Sequence, residues 1–357
     1  MRKNPRVGIV ITSYQRLEYL KEAVSSAINQ TYSNLEIVVS DDRSPDPAIR
    51  GYLETLKQPN VRWFINKANL GTTKNYDMGV RRLSDDVTWC VILDNDDYLD
   101  KNFITKAVKT HQKHPQSKVI HGRQIFIDAK GIVLTQDKDY PTLESAEDYM
   151  ILRCLNHREI RTSSIVFNLN QFNKVGGYPV FPTGLGTDSV LIFALAFDNI
   201  LAFSPNARVY TRLHSEAESG STENLIGRLL SARKMREYCR RVYEHHPQHD
   251  QTRKKQVLRY VNFYTTVLSL FVLIGRCKEL IQEKSKRSTD TALKKLIETC
   301  NKHGLTMEAR FLKAAKLLNY TGVYVLSGAL HTIESLGGIM RSLVFKKHGL
   351  TKWVKRA

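Results

Sequence analysis

Short apolar runs alternate with helix-period stretches along the first half of the chain. Residues 7–11 form an apolar run ending in Thr12-Ser13-Tyr14, after which Leu17, Leu20, Val24, Ala27 and Ile28 recur at helical spacing. Residues 35–39 form a second run ending in Ser40-Asp41-Asp42, with a helical stretch through Leu56. Residues 61–65 make a third run, residues 74–83 read as a helix, and the run at 89–93 closes on Asp94-Asn95-Asp96-Asp97. Strand-length runs separated by helical periods predict parallel strands joined by crossover helices, an α/β fold. In open sheets of this kind ligands bind beyond the carboxyl ends of the strands. Tyr14, Asp41 and the acidic residues 94–97 are therefore expected to meet on one rim.

The pattern then loosens. Strands are predicted over 119–126, 163–167 and 207–213, a turn at Asp128-Ala129-Lys130-Gly131, and a buried helix over 190–197. From Asn224 onward helices rich in Lys and Arg take over. A boundary near Ser219-Gly220-Ser221 gives two domains, 1–220 and 221–357, the second helical and basic. The longest apolar stretch, 261–274, carries Asn262, Thr265, Thr266 and Ser269 and reads as a core helix rather than a membrane span.

Composition changes this picture in one respect. The apolar share of 42% and charged share of 25% are those of an ordinary globular protein, but the net charge is +19. Such an excess favours an anionic partner: nucleic acid, an acidic membrane surface or phosphorylated substrates. The basic residues Lys346, Lys347, Lys352, Lys355 and Arg356 around Trp353 suit an anionic membrane or a solvated tail equally. Five scattered cysteines show neither a disulfide framework nor zinc spacing, which fits a reducing, cytoplasmic setting. The first residues lead straight into the strand pattern without a signal-peptide signature.

The acidic cluster at 94–97 carries the most chemistry. Carboxylates at the end of an apolar strand repel one another unless a cation or strong donors neutralise them. Mg²⁺ and Mn²⁺ prefer oxygen ligands and commonly bridge carboxylates to a diphosphate. Asp and Asn also populate turns and helix caps, so the cluster alone leaves both readings open. The order of blocks narrows them. Residues 9–14, then Leu17, Leu20 and Ser25 through Tyr32, then residues 36–44, Asn69-Leu70-Gly71 with Lys74-Asn75, and finally 94–97 resemble the successive motifs of family 2 glycosyltransferases from residue 7 to about 214.

That resemblance implies a GT-A nucleotide-diphospho-sugar transferase fold with a mostly parallel central sheet. It also implies an inverting hexosyl- or N-acetylhexosaminyltransferase that uses a UDP-sugar donor and Mn²⁺ or Mg²⁺. Thr12 and Tyr14 would hold the base, Asp41 would accept its N–H, and Lys74 would reach base or phosphate. Asp94 would bind ribose or sugar hydroxyls, Asp96 the metal, and His214 would complete the metal site. Arg212 is expected near phosphate, while Asp42 reads as a cap for the next helix. An inverting transfer also needs a general base. Between Glu159 and Asp198 the only acidic residue is Asp188. Its setting after Gly184-Leu185-Gly186-Thr187 resembles the family's base motif, with Thr187 in place of the commoner Glu.

The expected acceptor is a glycan or lipid-linked saccharide in cell-surface polysaccharide synthesis, met by a cytoplasmic protein peripheral to the inner face of the plasma membrane. A nucleic-acid-binding protein would share the charge but lacks zinc-finger or aromatic-basic motifs, so no nucleic acid is expected. A nucleotidyltransferase or a dinucleotide oxidoreductase would need a glycine-rich loop after the first strand, which Thr12-Ser13-Tyr14-Gln15-Arg16 does not supply.

Overall fold

The computed structural model describes residues 4–213, 224–283 and 286–317. The chain divides into two compact units, Met1–Gly220 and Ser221–Ala357.

Ten strands of the first unit form one sheet: β1 (Val7–Ser13), β2 (Leu35–Asp41), β3 (Val61–Ile65), β4 (Trp89–Asp94), β5 (Tyr98–Leu99), β6 (Ser117–Ile127), β7 (Val133–Gln136), β8 (Leu143–Glu144), β9 (Ile165–Asn168) and β10 (Ile200–Arg212). Seven helices accompany them: α1 (Leu17–Ile28), α2 (Pro47–Thr55), α3 (Thr72–Val80), α4 (Phe103–Lys113), α5 (Ala146–Cys154), α6 (Leu169–Lys174) and α7 (Thr187–Ala196). The strand order is β3-β2-β1-β4-β9-β6-β10-β5. β3, β2, β1 and β4 run parallel, as the alternation predicts, while β9 is antiparallel to both its neighbours.

Every residue of β1 and β2 is buried. That is why these strands read as largely apolar runs, since a parallel strand covered on both faces has no solvent side to keep polar. The charged Glu36 within β2 is paired with Arg6 and Arg62. Ile9, Ile11, Ile37, Val39, Val91 and Leu93 share one core cluster with Leu20, Val24 and Ala27 of α1. Helix α3 lies close against the sheet at Gly79, where an added Cβ would sit 2.5 Å from Val10 Cγ1 and 3.3 Å from Ser40 Cβ. Register then sets the rim: Ser13 lies beside Asp41, and Thr12 beside Asp94.

β10 is longer than predicted. Ser204-Pro205-Asn206, ahead of the predicted strand, forms an irregularity within the observed one, where pairing with β6 shifts between Ser204 and Arg208. Gly122 on β6 permits this, because a Cβ there would meet the carbonyl oxygen of Ala207 at 2.4 Å.

The second unit contains α8 (Leu225–Glu244), α9 (Gln251–Glu283), α10 (Lys286–Lys302) and α11 (Thr306–Leu317). Leu229, Leu273, Cys277, Leu293, Cys300 and Leu312 form its core. The apolar stretch expected as a core helix is part of the longer α9. Within its segment Gln251–Cys277 an 18-residue window has a mean hydropathy of 1.6 and is 33% buried, so the helix is long and apolar enough to cross a membrane by length and composition. Charge is divided unevenly: residues 1–220 hold 27 Lys and Arg against 25 Asp and Glu, whereas residues 221–357 hold 27 against 10. All five cysteines are free and buried.

Candidate active site

The carboxyl ends of β1, β2 and β4 bring Thr12 level with Asp94 and set Asp41 one residue further along, beside Ser13. Thr12 and Asp41 are buried, and Tyr14, just past β1, is 43% exposed. An aromatic ring so placed is available to a ligand rather than taken up by the core. Lys74 is exposed in the first turn of α3, which starts after Gly71 at φ 80°. Both Asp41 oxygens accept hydrogen bonds from Ser44, at 2.6 Å from its hydroxyl and 2.9 Å from its N–H. The carboxylate therefore organises its own loop.

Asp42 does not cap the following helix. Asp46 does so, accepting from Ala48 N–H at 2.9 Å. Asp42 instead accepts from the N–H groups of Leu70 and Gly71 at 2.8 and 2.9 Å and from Asn66 Nδ2 at 2.8 Å. It thus fixes the entry to α3. Beneath it, Ser40, Asn66, Asn75 and Arg82 form a hydrogen-bonded network within 3.0 Å.

Asp94, Asp96 and Asp97 can place one carboxylate oxygen each within 4.8 Å of one another. Tyr76 on α3 donates its hydroxyl proton to Asp94. Ser163, in the turn before β9, accepts from Asp94 N–H at 3.1 Å. Asp97 is buried and accepts from Arg212 N–H at 2.9 Å. Burial, and then the charges of Asp96 and Asp94, push its carboxyl well above the ordinary range. Hard oxygen donors this close fit a divalent cation of the Mg²⁺ or Mn²⁺ kind.

Two arginines lie by this cluster. Arg16 places Nη1 3.2 Å from Asp96 Oδ2. It follows Gln15, and both have left-handed backbones, with φ of 59° and 60°. Such a conformation costs about 1–2 kcal/mol per residue away from glycine. Two contacts hold it: Gln15 N–H donates to Ser44 Oγ at 2.8 Å, and Gln15 O accepts from Asn95 Nδ2 at 3.0 Å. Arg212, expected near phosphate, is instead a buried structural residue. It donates to the carbonyls of Asp96, Asp128 and Ala129 and pairs with Glu22, its guanidinium 4.4 Å from the centre of the Tyr19 ring.

Asp188 stands in the first turn of α7, after Gly186 at φ 78°, and accepts from Ser189 N–H at 2.9 Å. Burial pushes its carboxyl up, while Arg153 and Arg161 act against the rise. Tyr178 connects this side of the site to the sheet rim. Its hydroxyl lies 2.8 Å from Thr162 Oγ1, its ring packs edge-on to Tyr76 at 4.8 Å, and burial, then the charges of Asp188 and Asp94, raise its pKa. His214 lies outside the described residues. Sequence reasoning missed Arg16, Asn95, Tyr76, Ser163 and Tyr178. Only Arg16 and Asn95 carried a local signal, by flanking motifs already singled out.

A twisted α/β sheet with carboxylates gathered on its parallel strand ends is a GT-A nucleotide-diphospho-sugar transferase fold. The crystal structure of S. aureus TarS 1-349 in complex with UDP-GlcNAc superposes with a TM-score of 0.58 at 14% identity, over 88% of this chain and 92% of that one. Residues 8–160, a little under half of the chain, match the family model Glycosyl transferase family 2. An uncharacterized glycosyltransferase of Haemophilus influenzae is 23% identical over 321 residues, 88% of this chain and 92% of its own length. Another from the same organism is 28% identical over 162 residues, 43% of this chain and 63% of its own. The chain thus spans less than two thirds of that second relative.

Proposed function

We propose that the protein transfers a hexosyl or N-acetylhexosaminyl group from a UDP-sugar to a hydroxyl of a glycan or lipid-linked saccharide, with inversion. The observation that carries this reading is the meeting of Thr12, Asp41 and Asp94 at adjacent strand ends beside a three-carboxylate cluster. The family match over residues 8–160 and the UDP-GlcNAc held by a neighbour of like fold support it.

Thr12 and the exposed Tyr14 ring hold the base, and Asp41 accepts its N–H. Asp94, oriented by Tyr76, takes ribose or sugar hydroxyls, and Lys74 faces the phosphates. Asp96 and Asp94, with His214, would hold Mn²⁺ or Mg²⁺. When bound, the ion supplies charge neutralisation at the diphosphate leaving group. Asp188 accepts the proton of the acceptor hydroxyl as that oxygen bonds to the anomeric carbon. The anomeric C–O bond to the diphosphate breaks, and its electron pair leaves with the nucleotide. Burial strengthens Asp188 as a base, which suits general-base work near neutral pH.

The acceptor belongs to cell-surface polysaccharide synthesis, and the protein works in the cytoplasm, peripheral to an anionic inner membrane face. The excess of Lys and Arg in residues 221–357 supports that placement.

A thermal-shift panel of UDP-, GDP-, CDP- and dTDP-sugars with and without MnCl2 tests the donor. UDP-sugars with Mn²⁺ should give the largest stabilisation. Absence of a shift with every nucleotide removes the reading. In the same assay system, Asp188→Asn should lower transfer by on the order of 10²–10⁴-fold with donor binding retained. Unchanged transfer would remove Asp188 from the base role.

A further inference from the structure

The proposed metal cluster already has a cation beside it. Arg16 Nη1 lies 3.2 Å from Asp96 Oδ2, and both side chains are mostly shielded, at 26% and 16% exposure. The placement is built rather than incidental. Arg16 and Gln15 occupy consecutive left-handed conformations. Hydrogen bonds from two directions fix that loop: the Asn95 amide from the acidic turn at 3.0 Å, and the Ser44 hydroxyl from the end of β2 at 2.8 Å. Ser44 in turn donates to Asp41 at 2.6 Å. A continuous chain of contacts therefore runs from Asp41, assigned to the base, through Ser44 and Gln15 to Arg16 and Asp96, assigned to the metal.

We propose that Arg16 is the resident counter-cation of Asp96, displaced when the divalent metal binds, so that metal and nucleotide affinities are coupled through this side chain. The inference rests on the donor and metal assignments above. A guanidinium and a divalent cation on one carboxylate group repel each other at close range, so the metal binds against the existing ion pair. A diphosphate changes the balance. It offers the released guanidinium a new anionic partner of matching geometry, and its base meets the Asp41 end of the same contact chain. Each ligand then favours the other, as linkage requires.

The test measures Mn²⁺ binding to the full chain directly, from the electron paramagnetic resonance signal of free Mn²⁺, with and without UDP. In the unaltered protein UDP should tighten Mn²⁺ binding. Arg16→Gln should bind Mn²⁺ alone several-fold more tightly than the unaltered protein, and should lose on the order of tenfold of the UDP enhancement. A merely structural role for Arg16 would weaken metal binding, so the sign of the change is diagnostic. Arg16→Lys keeps the charge but not the forked geometry and should fall between the two. It carries the test should Arg16→Gln fail to fold, a condition that circular dichroism reads. Equal Mn²⁺ affinity and equal UDP enhancement in all three proteins overturn the proposal while leaving the metal site intact. No Mn²⁺ binding to any of them, with or without UDP, overturns the metal assignment itself.

Discussion

At the scale of single residues, the acidic side chains divide by what their surroundings ask of them. Asp46 caps a helix, Asp42 fixes a loop, and Asp41 organises its own turn, each by accepting backbone N–H groups. Asp188 differs, because burial raises its pKa. A carboxyl whose folded pKa exceeds its unfolded value favours folding below the ordinary carboxylate range. That contribution is lost as pH rises through the shifted value. At neutral pH Asp188 is therefore a burden on stability, and Asp188→Asn should raise the urea midpoint while abolishing transfer, a trade expected of active sites. A lower midpoint would mean that the carboxylate is held by interactions stronger than its burial. Arg153 pulls the Asp188 pKa down and also donates to Ser189 Oγ at 3.1 Å. Arg153→Gln should thus move the acid limb of the pH–rate profile to higher pH; an unmoved limb would assign it to another group.

At the scale of elements, the legible parts were those whose cause is local. β1, β2 and β4 announce themselves because burial on both faces demands mostly apolar runs, and the rim follows from where those runs turn polar. The opaque parts depend on partners far away in the chain. Asp42 looks like a helix cap because its true donors, Leu70 and Gly71, are 28 and 29 residues on. Arg212 looks available until four acceptors from three other segments enclose it. β10 hides its first half because Ser204-Pro205-Asn206 has turn chemistry and only Gly122 across the sheet makes room for it. The same dependence gives a prediction for α3, which carries Tyr76 and Lys74. Gly79→Ala forces a methyl group against Val10 and should cost about 1–3 kcal/mol of stability, read from denaturant unfolding. If Val10 yields without cost, the close approach of α3 to β1 is looser than the contact distance implies.

At the scale of the whole molecule, the net charge of +19 resolves into a nearly balanced first unit and a second unit that carries almost all of the excess. Arg240, Arg241, Lys255 and Arg259 are exposed on α8 and α9. Reversing these four to Glu in the full chain should weaken sedimentation with anionic phospholipid vesicles by at least on the order of tenfold at low salt, since each basic residue near such a surface contributes about 1 kcal/mol. The difference should fade as salt is raised, and UDP binding should be unaffected. Equal sedimentation of both proteins would detach the basic helices from any membrane role. The lopsided distribution also governs how the molecule behaves in a column or a gel. Electrophoretic mobility reports mainly on residues 221–357, and a single proteolytic cut between the two units would yield one fragment almost isoelectric at neutral pH and another that a cation exchanger retains to high ionic strength.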